Sequence, residues 1–249
     1  MQTEVLGRRE LIRKSALLGA GLVISNLPEF QISENPYYIQ FRTIETENGQ
    51  IIIEAGSAVN PRALETAESE FLRLTDYRIE MRSSLAGARY KIAIIPQRAN
   101  INILPEYASF TEQSKGWTAR RGRELVTAIS EGNLLGTLTG DRLEDWYTSN
   151  NFLIAPHEYG HAINMSGITS DERSNWRDKI FPVLSSRPGF PGNWRSIYPH
   201  TYEALRNRAE MFPELTRGVR QGFGPPIKRM DINNEAGLEE FLFNIYGPF

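Results

Sequence analysis

Three observations predict an α+β domain built on a small mixed sheet. Short β-branched and aromatic runs, at residues 37–41, 50–55 and 90–96, are bounded by turn residues. Longer stretches, at residues 61–74, 170–184, 202–212 and 235–246, carry apolar side chains at helical spacing. Between them lies a third kind of helical signal, His157-Glu158-Tyr159-Gly160-His161, which reads H-E-x-x-H. With 249 residues, 40% of them apolar and 10% aromatic, the chain has enough material for one large packed domain plus a short extension.

The extension comes first. Gly7-Arg8-Arg9-Glu10-Leu11-Ile12-Arg13-Lys14 is a basic stretch, and residues 15–27 form an apolar run. That run is short for a membrane span, which needs about 20 residues. Paired arginines followed by x-Leu-Ile resemble a bacterial twin-arginine export signal, so residues 1–27 are expected to be a signal peptide or an uncleaved N-terminal anchor. The competing reading is an amphipathic first helix packed on the domain. Export would make the protein periplasmic, cell-surface or secreted, with membrane contact only through this segment. Residues 28–35, between Pro28 and Pro36, read as a linker, and residues 36–249 as the domain.

Within the domain, Asn48-Gly49 between two strand-like runs predicts a hairpin. Asn60-Pro61 then opens a helix, with Asn as cap and Pro in the first turn. Ala63, Leu64, Ala67, Phe71, Leu72 and Leu74 give that helix its buried face, and Glu65, Glu68, Glu70 and Arg73 its solvated one. Residues 90–96 are the clearest strand, an apolar run closed by Pro96. Residues 97–107 read as loop, residues 116–123 as a glycine-bounded basic loop, residues 126–129 as a strand and residues 131–135 as a turn. The H-E-x-x-H helix has cap candidates at residues 148–151 and a C-terminal stop at Gly167. Pro156 makes this helix begin near Ala155 or kink there. Gly160 lowers its helix propensity but permits close approach by another element. Thr201 is the expected cap of the helix at residues 202–212.

Composition narrows the chemistry. The absence of cysteine excludes disulfides, thiol catalysis and Cys-ligated zinc, leaving histidine and carboxylate as the strong metal ligands. A net charge of −2 gives no general attraction to nucleic acid, and the one basic loop lacks the aromatic and basic neighbours a nucleic-acid surface needs. On a helix, His157 and His161 share one face and can converge on a single ion. Zn²⁺ suits two neutral imidazoles, a third protein ligand and a water, with Glu158 placed to take a proton from that water.

The third ligand is open. The metzincin pattern places glycine at position 164 and a third histidine at position 167, but these are Asn and Gly here. Asp178 lies at a thermolysin-like distance without the accompanying Asn-Glu, and Asp171 is too close to His161. Glu203, Glu210 and Glu214, with His200 just before them, remain. Glu210 and Glu214 are four apart and share a face, so one can bind metal while the other holds a ligand histidine. The alternative is a set of surface glutamates paired with Arg206, Arg208 and Arg217.

Ala209-Glu210-Met211-Phe212-Pro213-Glu214 resembles the A-E-x-F-x-E segment of zinc peptidases of the anthrax lethal factor type. His157-Glu158-Tyr159-Gly160-His161-Ala162 is similar to that family's H-E-[FY]-G-H-A, and residues 90–96, Pro105-Glu106 and Gly116-Trp117-Thr118 look like its scaffold. The resemblance spans roughly residues 36–249. It implies a zincin-like, gluzincin-type metallopeptidase domain with Glu210 as third zinc ligand and Glu214 supporting the site. It also implies a tyrosine that polarises the scissile carbonyl. Ser196-Ile197-Tyr198 matches the local pattern but lies twelve residues before Glu210, whereas Tyr202 lies eight before, so either can serve. Pro213 stands where the family has a small residue, and the helix is expected to end there.

The implied activity is zinc-dependent endopeptidase. Zn²⁺ on His157, His161 and Glu210 activates water, Glu158 carries the proton, and Tyr198 or Tyr202 meets the oxyanion. The peptide or protein substrate would lie extended along a sheet edge near residues 126–129. Two rival readings are a catalytically inactive zinc-binding, toxin-like or protein-interaction module on the same fold, and a structural protein without metal.

Overall fold

The structure, a computed structural model, describes residues 37–109, 114, 116–136, 154–186, 206–220 and 237–248. The N-terminal segment, the linker, His200, Thr201, Glu203, Tyr198, Tyr202 and the cap candidates at 148–151 lie outside the described residues. What is described is α+β, with a five-stranded mixed sheet.

Strands β1 (Gln40–Thr46) and β2 (Gly49–Ala55) form the expected hairpin, one residue out of the expected position. Thr46 pairs with Gly49, so the two-residue loop is Glu47-Asn48, and Gly49, at φ +124°, begins the second strand. Strand β3 (Tyr90–Ile95) is buried along its whole length and runs parallel to β2, as its unbroken apolar run suits.

The stretch read as a basic loop is instead strand β4 (Gly116–Arg121), antiparallel to β5 (Glu124–Ser130). Gly122-Arg123 makes the turn between them, with Gly122 at φ +62°, and glycine at the first of two loop positions is a recognised hairpin signal. The sheet order is β1-β2-β3-β5-β4. Residues 126–129 therefore sit in an interior strand with a neighbour on each side. Among the described residues the edge strands are β1 and β4, and β4 is the one next to β5, which corrects the expected substrate edge.

Helix α1 (Pro61–Thr75) starts where expected, with Asn60 Oδ1 accepting from the Arg62 amide at 3.0 Å. Its polar face is not merely solvated: Glu70 accepts two hydrogen bonds of 2.6 Å from Arg220. Helix α2 (Ile79–Gly87) was not expected, and the turn at residues 131–135 is a short helix α3 (Glu131–Leu135) begun by the Ser130 hydroxyl.

The H-E-x-x-H helix, α4, spans Ile154–Ala162 and continues as a wider π turn over Ile163–Gly167. Arg173 donates to the carbonyls of Asn164, Met165 and Ile168, which satisfies the backbone that this irregular end leaves open. Helices α5 (Ser170–Asn175) and α6 (Phe181–Ser185) flank a second π turn, Trp176–Ile180. Helix α7 (Arg208–Arg220) begins later than expected, with Asn207 Oδ1 accepting from the Ala209 amide at 2.9 Å. It also runs through Pro213 instead of ending there. Helix α8 (Leu238–Tyr246) closes the described chain.

One face of the sheet packs against these helices, in a core that includes Phe71, Tyr90, Tyr159, Trp176, Phe212 and Phe241. The other face is covered by residues 97–107, two short 3₁₀ turns where a loop was expected, through Ile101, Leu104 and Tyr107. No helix among the described residues is long and apolar enough to cross a membrane.

Candidate metal centre

Helix α4 lies on the sheet against β4 and β5 and crosses α7. Pro156 falls in its first turn, where an amide is dispensable. The neighbouring Ala155 amide donates to Asn133 Oδ1 at 3.1 Å, so α3 supplies a cap in space. Tyr159 is fully buried and its hydroxyl donates to the Ala67 carbonyl of α1 at 3.1 Å, which sets the rotation of α4 about its axis. His157 and His161 are thereby turned toward α7.

The crossing is close because residue 160 is glycine. A methyl group there would stand 2.7 Å from Pro213 Cα and 2.8 Å from Thr216 Oγ1. This contact brings Glu210, one turn before Pro213, over the two histidines.

Three donor atoms meet. His157 Nε2 and His161 Nε2 are 3.2 Å apart, and Glu210 Oε2 is 3.3 Å from the first and 3.4 Å from the second. A zinc ion with tetrahedral ligands at 2.0–2.1 Å separates any two of them by about 3.3 Å. The triangle is thus the face that such an ion needs, and the donor set of two imidazoles and a carboxylate suits zinc. Among the described residues these are the three that could hold a metal together.

Behind the triangle, His157 Nδ1 lies 2.9 Å from Glu214 Oε1. The contact is an ion-pair distance without hydrogen-bond alignment, and the carboxylate's charge favours the proton on Nδ1, which leaves the Nε2 lone pair facing the triangle. Glu214 is buried and also takes two hydrogen bonds from Arg217. The uninterrupted helix accounts for this: Pro213 does not displace Glu214 from the face of Glu210. The rival pairing of Glu214 with Arg217 is present as well, and both partners are held at once.

The electrostatics follow from these contacts. Burial alone would lower the His157 imidazole, but Glu210 and Glu214 pull it up to about 10 when no cation is present. The two histidines hold the Glu210 carboxyl well below the usual carboxylate range, against its partial burial. Burial works to raise Glu214, and His157 and Arg217 outweigh it, leaving the carboxyl low.

Glu158 meets the sheet at β4. Its Oε2 accepts from Thr118 Oγ1 at 2.8 Å. Burial raises its carboxyl above the ordinary value, while the two histidines and Thr118 oppose that rise. A carboxyl so placed, one residue from the candidate ligand His157, is suited to accept and return a proton.

The structure brings together His157, His161, Glu210 and Glu214, with Glu158 beside them. Asp178 stays apart, exposed and paired with Arg177. Sequence reading missed Thr118, Asn133 and Gly116. Strand alternation through Gly116, Thr118 and Arg120 was the available signal for the face that meets α4. The chain matches no protein-family model and no curated protein.

Proposed function

We propose that this chain is a zinc-dependent endopeptidase with a zincin-like, lethal-factor-type domain. The observation that carries the reading is the triangle of His157 Nε2, His161 Nε2 and Glu210 Oε2, with edges of 3.2–3.4 Å. These residues would hold Zn²⁺, and Glu214 would keep His157 in the ligating tautomer. A bound zinc ion supplies Lewis acidity toward the scissile carbonyl and makes a nucleophilic water available near neutral pH.

The chain's own residues do the rest. Glu158 takes the proton of the attacking water and returns it to the leaving amine. An extended peptide would add to β4, the edge strand beside α4, through main-chain hydrogen bonds. The family resemblance assigns the oxyanion hydrogen bond to Tyr198 or Tyr202. Arg8, Arg9 and the apolar run behind them support export of the folded, cysteine-free chain.

The test couples metal content to peptide-library cleavage. One zinc per chain is expected, lost in His157→Ala and in Glu210→Ala. Glu158→Gln should keep zinc and lose cleavage, because an amide does not accept the water's proton. Zinc without cleavage would favour a zinc-binding interaction module, and absence of zinc from a chelator-free preparation would end the metal reading.

A further inference from the structure

One connected line of hydroxyls runs across the face of the sheet under α4. Thr118 on β4 and Thr127 on β5 are directly opposite each other, with their Oγ1 atoms 2.8 Å apart. The Tyr90 hydroxyl on β3 donates to Thr127 Oγ1 at 2.9 Å. Thr118 Oγ1 in turn reaches both ends of one residue, Glu158 Oε2 at 2.8 Å and the Glu158 carbonyl at 2.9 Å. Tyr90 and Thr127 are fully buried and Glu158 nearly so.

Counting protons gives the line a direction. Thr118 has a single proton, and its contacts on Glu158 are acceptors, so it donates there. The proton between the two threonines must then come from Thr127, which in turn accepts from Tyr90. Every hydroxyl of the line points its proton toward Glu158, and each buried oxygen has a partner. Such aligned chains polarise one another and strengthen the last bond.

Gly116, two residues before Thr118 and on the same face of β4, completes the seat. A methyl group at Gly116 would lie 2.3 Å from Ile154 Cγ2 and 3.1 Å from both Cγ and Oε1 of Glu158. The Glu158 side chain therefore occupies the space that a larger residue would fill. Its Oε2 is engaged by Thr118, while no hydrogen bond among the described residues engages Oε1.

We propose that the Tyr90–Thr127–Thr118 hydroxyl line, with Gly116, positions Glu158 for its work as proton carrier, holding Oε2 and leaving Oε1 to meet the water. Thr118 is the positioning residue, and Thr127 and Tyr90 act through it. The assignment rests on the peptidase reading for its consequence in turnover, but the side-chain placement itself does not. A cross-strand threonine pair contributes little to stability, so conserving the shape while removing the hydroxyl is a fair test.

The experiment compares wild type, Thr118→Val, Thr118→Ser, Thr127→Val and Tyr90→Phe in the full chain loaded with zinc. Thr118→Val should keep the zinc stoichiometry and KM and lower kcat about 10- to 100-fold, as loss of a supporting hydrogen bond typically does. Thr118→Ser should restore most of the rate, and the two more distant variants should lose less than Thr118→Val. Crystal structures of wild type and Thr118→Val give a readout independent of activity: one Glu158 rotamer on β4 in the first, several or a displaced one in the second. An unchanged rotamer with unchanged kcat overturns the proposal, as does failure of serine to rescue a folded, zinc-loaded protein. A wild type that binds no zinc and cleaves nothing overturns the peptidase reading instead, and the rotamer comparison still decides the positioning.

Discussion

Replacing Gly160 with alanine would drive a methyl group into the crossing of α4 and α7. The new carbon would stand 2.7 Å from Pro213 Cα, a backbone atom that cannot swing aside. Ordinary carbon–carbon contact begins near 3.5 Å, so the helices must separate by about 0.8 Å. Two effects on stability compete. Alanine is favoured over glycine in a helix interior by about 1 kcal/mol, whereas overpacking costs about 1–3 kcal/mol. Contact with the Pro213 backbone and with Thr216 Oγ1 and Cβ, all within 2.9 Å, puts the second effect at its upper end, leaving a net loss of about 2 kcal/mol. For a domain of this size that lowers Tm by about 4–8 °C. The same separation would stretch the distances from Glu210 Oε2 to the two imidazoles, now 3.3 and 3.4 Å, to about 4 Å. Zinc affinity should fall by about 10-fold or more. Thermal unfolding of the metal-free protein and competition with a chelator read the two effects separately. A Gly160→Ala protein with unchanged Tm and unchanged zinc affinity would show that the crossing does not set the site.

Two further outcomes are expected. Glu214→Gln removes the charge that faces both His157 and the buried Arg217, so zinc affinity should drop about 10- to 100-fold and stability by about 3 kcal/mol. A loss of stability alone, with zinc affinity intact in the competition assay, would assign Glu214 to Arg217 only. In the metal-free protein the His157 imidazole is raised to about 10. Its contribution is therefore complete below about 6.5, the unfolded value, and declines as pH rises through about 10. Denaturant midpoints of chelator-treated protein should fall across that window, and a flat profile would contradict the charge arrangement around His157.

The site was more legible than the sheet, for a physical reason. Helical periodicity is local, so His157 and His161, and Glu210 and Glu214, could be assigned to shared faces without knowing where either helix lies. Gly160 could be read as a close approach because glycine costs helix propensity and must be repaid by something. Strand order is not local. The chain makes β3, β4 and β5 in sequence, yet β5 inserts beside β3 and β4 is left outside. Nothing in residues 126–129 distinguishes an interior strand from an edge one. Arg120, Arg121 and Arg123 made β4 look like a loop, although an exposed edge is where arginines are tolerated in a strand. Helix α2 escaped because only Met81, Ser83, Leu85 and Ala86 of its residues are buried while Ile79 is exposed, so no clear apolar stripe marks it. The continuation of α7 through Pro213 was hidden for the opposite reason. A proline inside a helix normally signals an end, and here Pro213 stays within α7, at the close crossing with Gly160.

Dividing the three donors between α4 and α7 would make a bound ion a cross-link. An unfolded chain presents the two histidines as a loose local pair, whereas the glutamate joins them only after α7 has docked. Chelation and docking are then one equilibrium viewed from two ends. By mass action, free zinc at 100 times its dissociation constant would add about 2.7 kcal/mol to the folded state. Stripping the ion would loosen α7 first, and with it the Glu70–Arg220 tether to α1. Susceptibility of α7 to proteolysis should therefore track zinc occupancy even for a variant with no turnover, giving a measure of the site that needs no substrate.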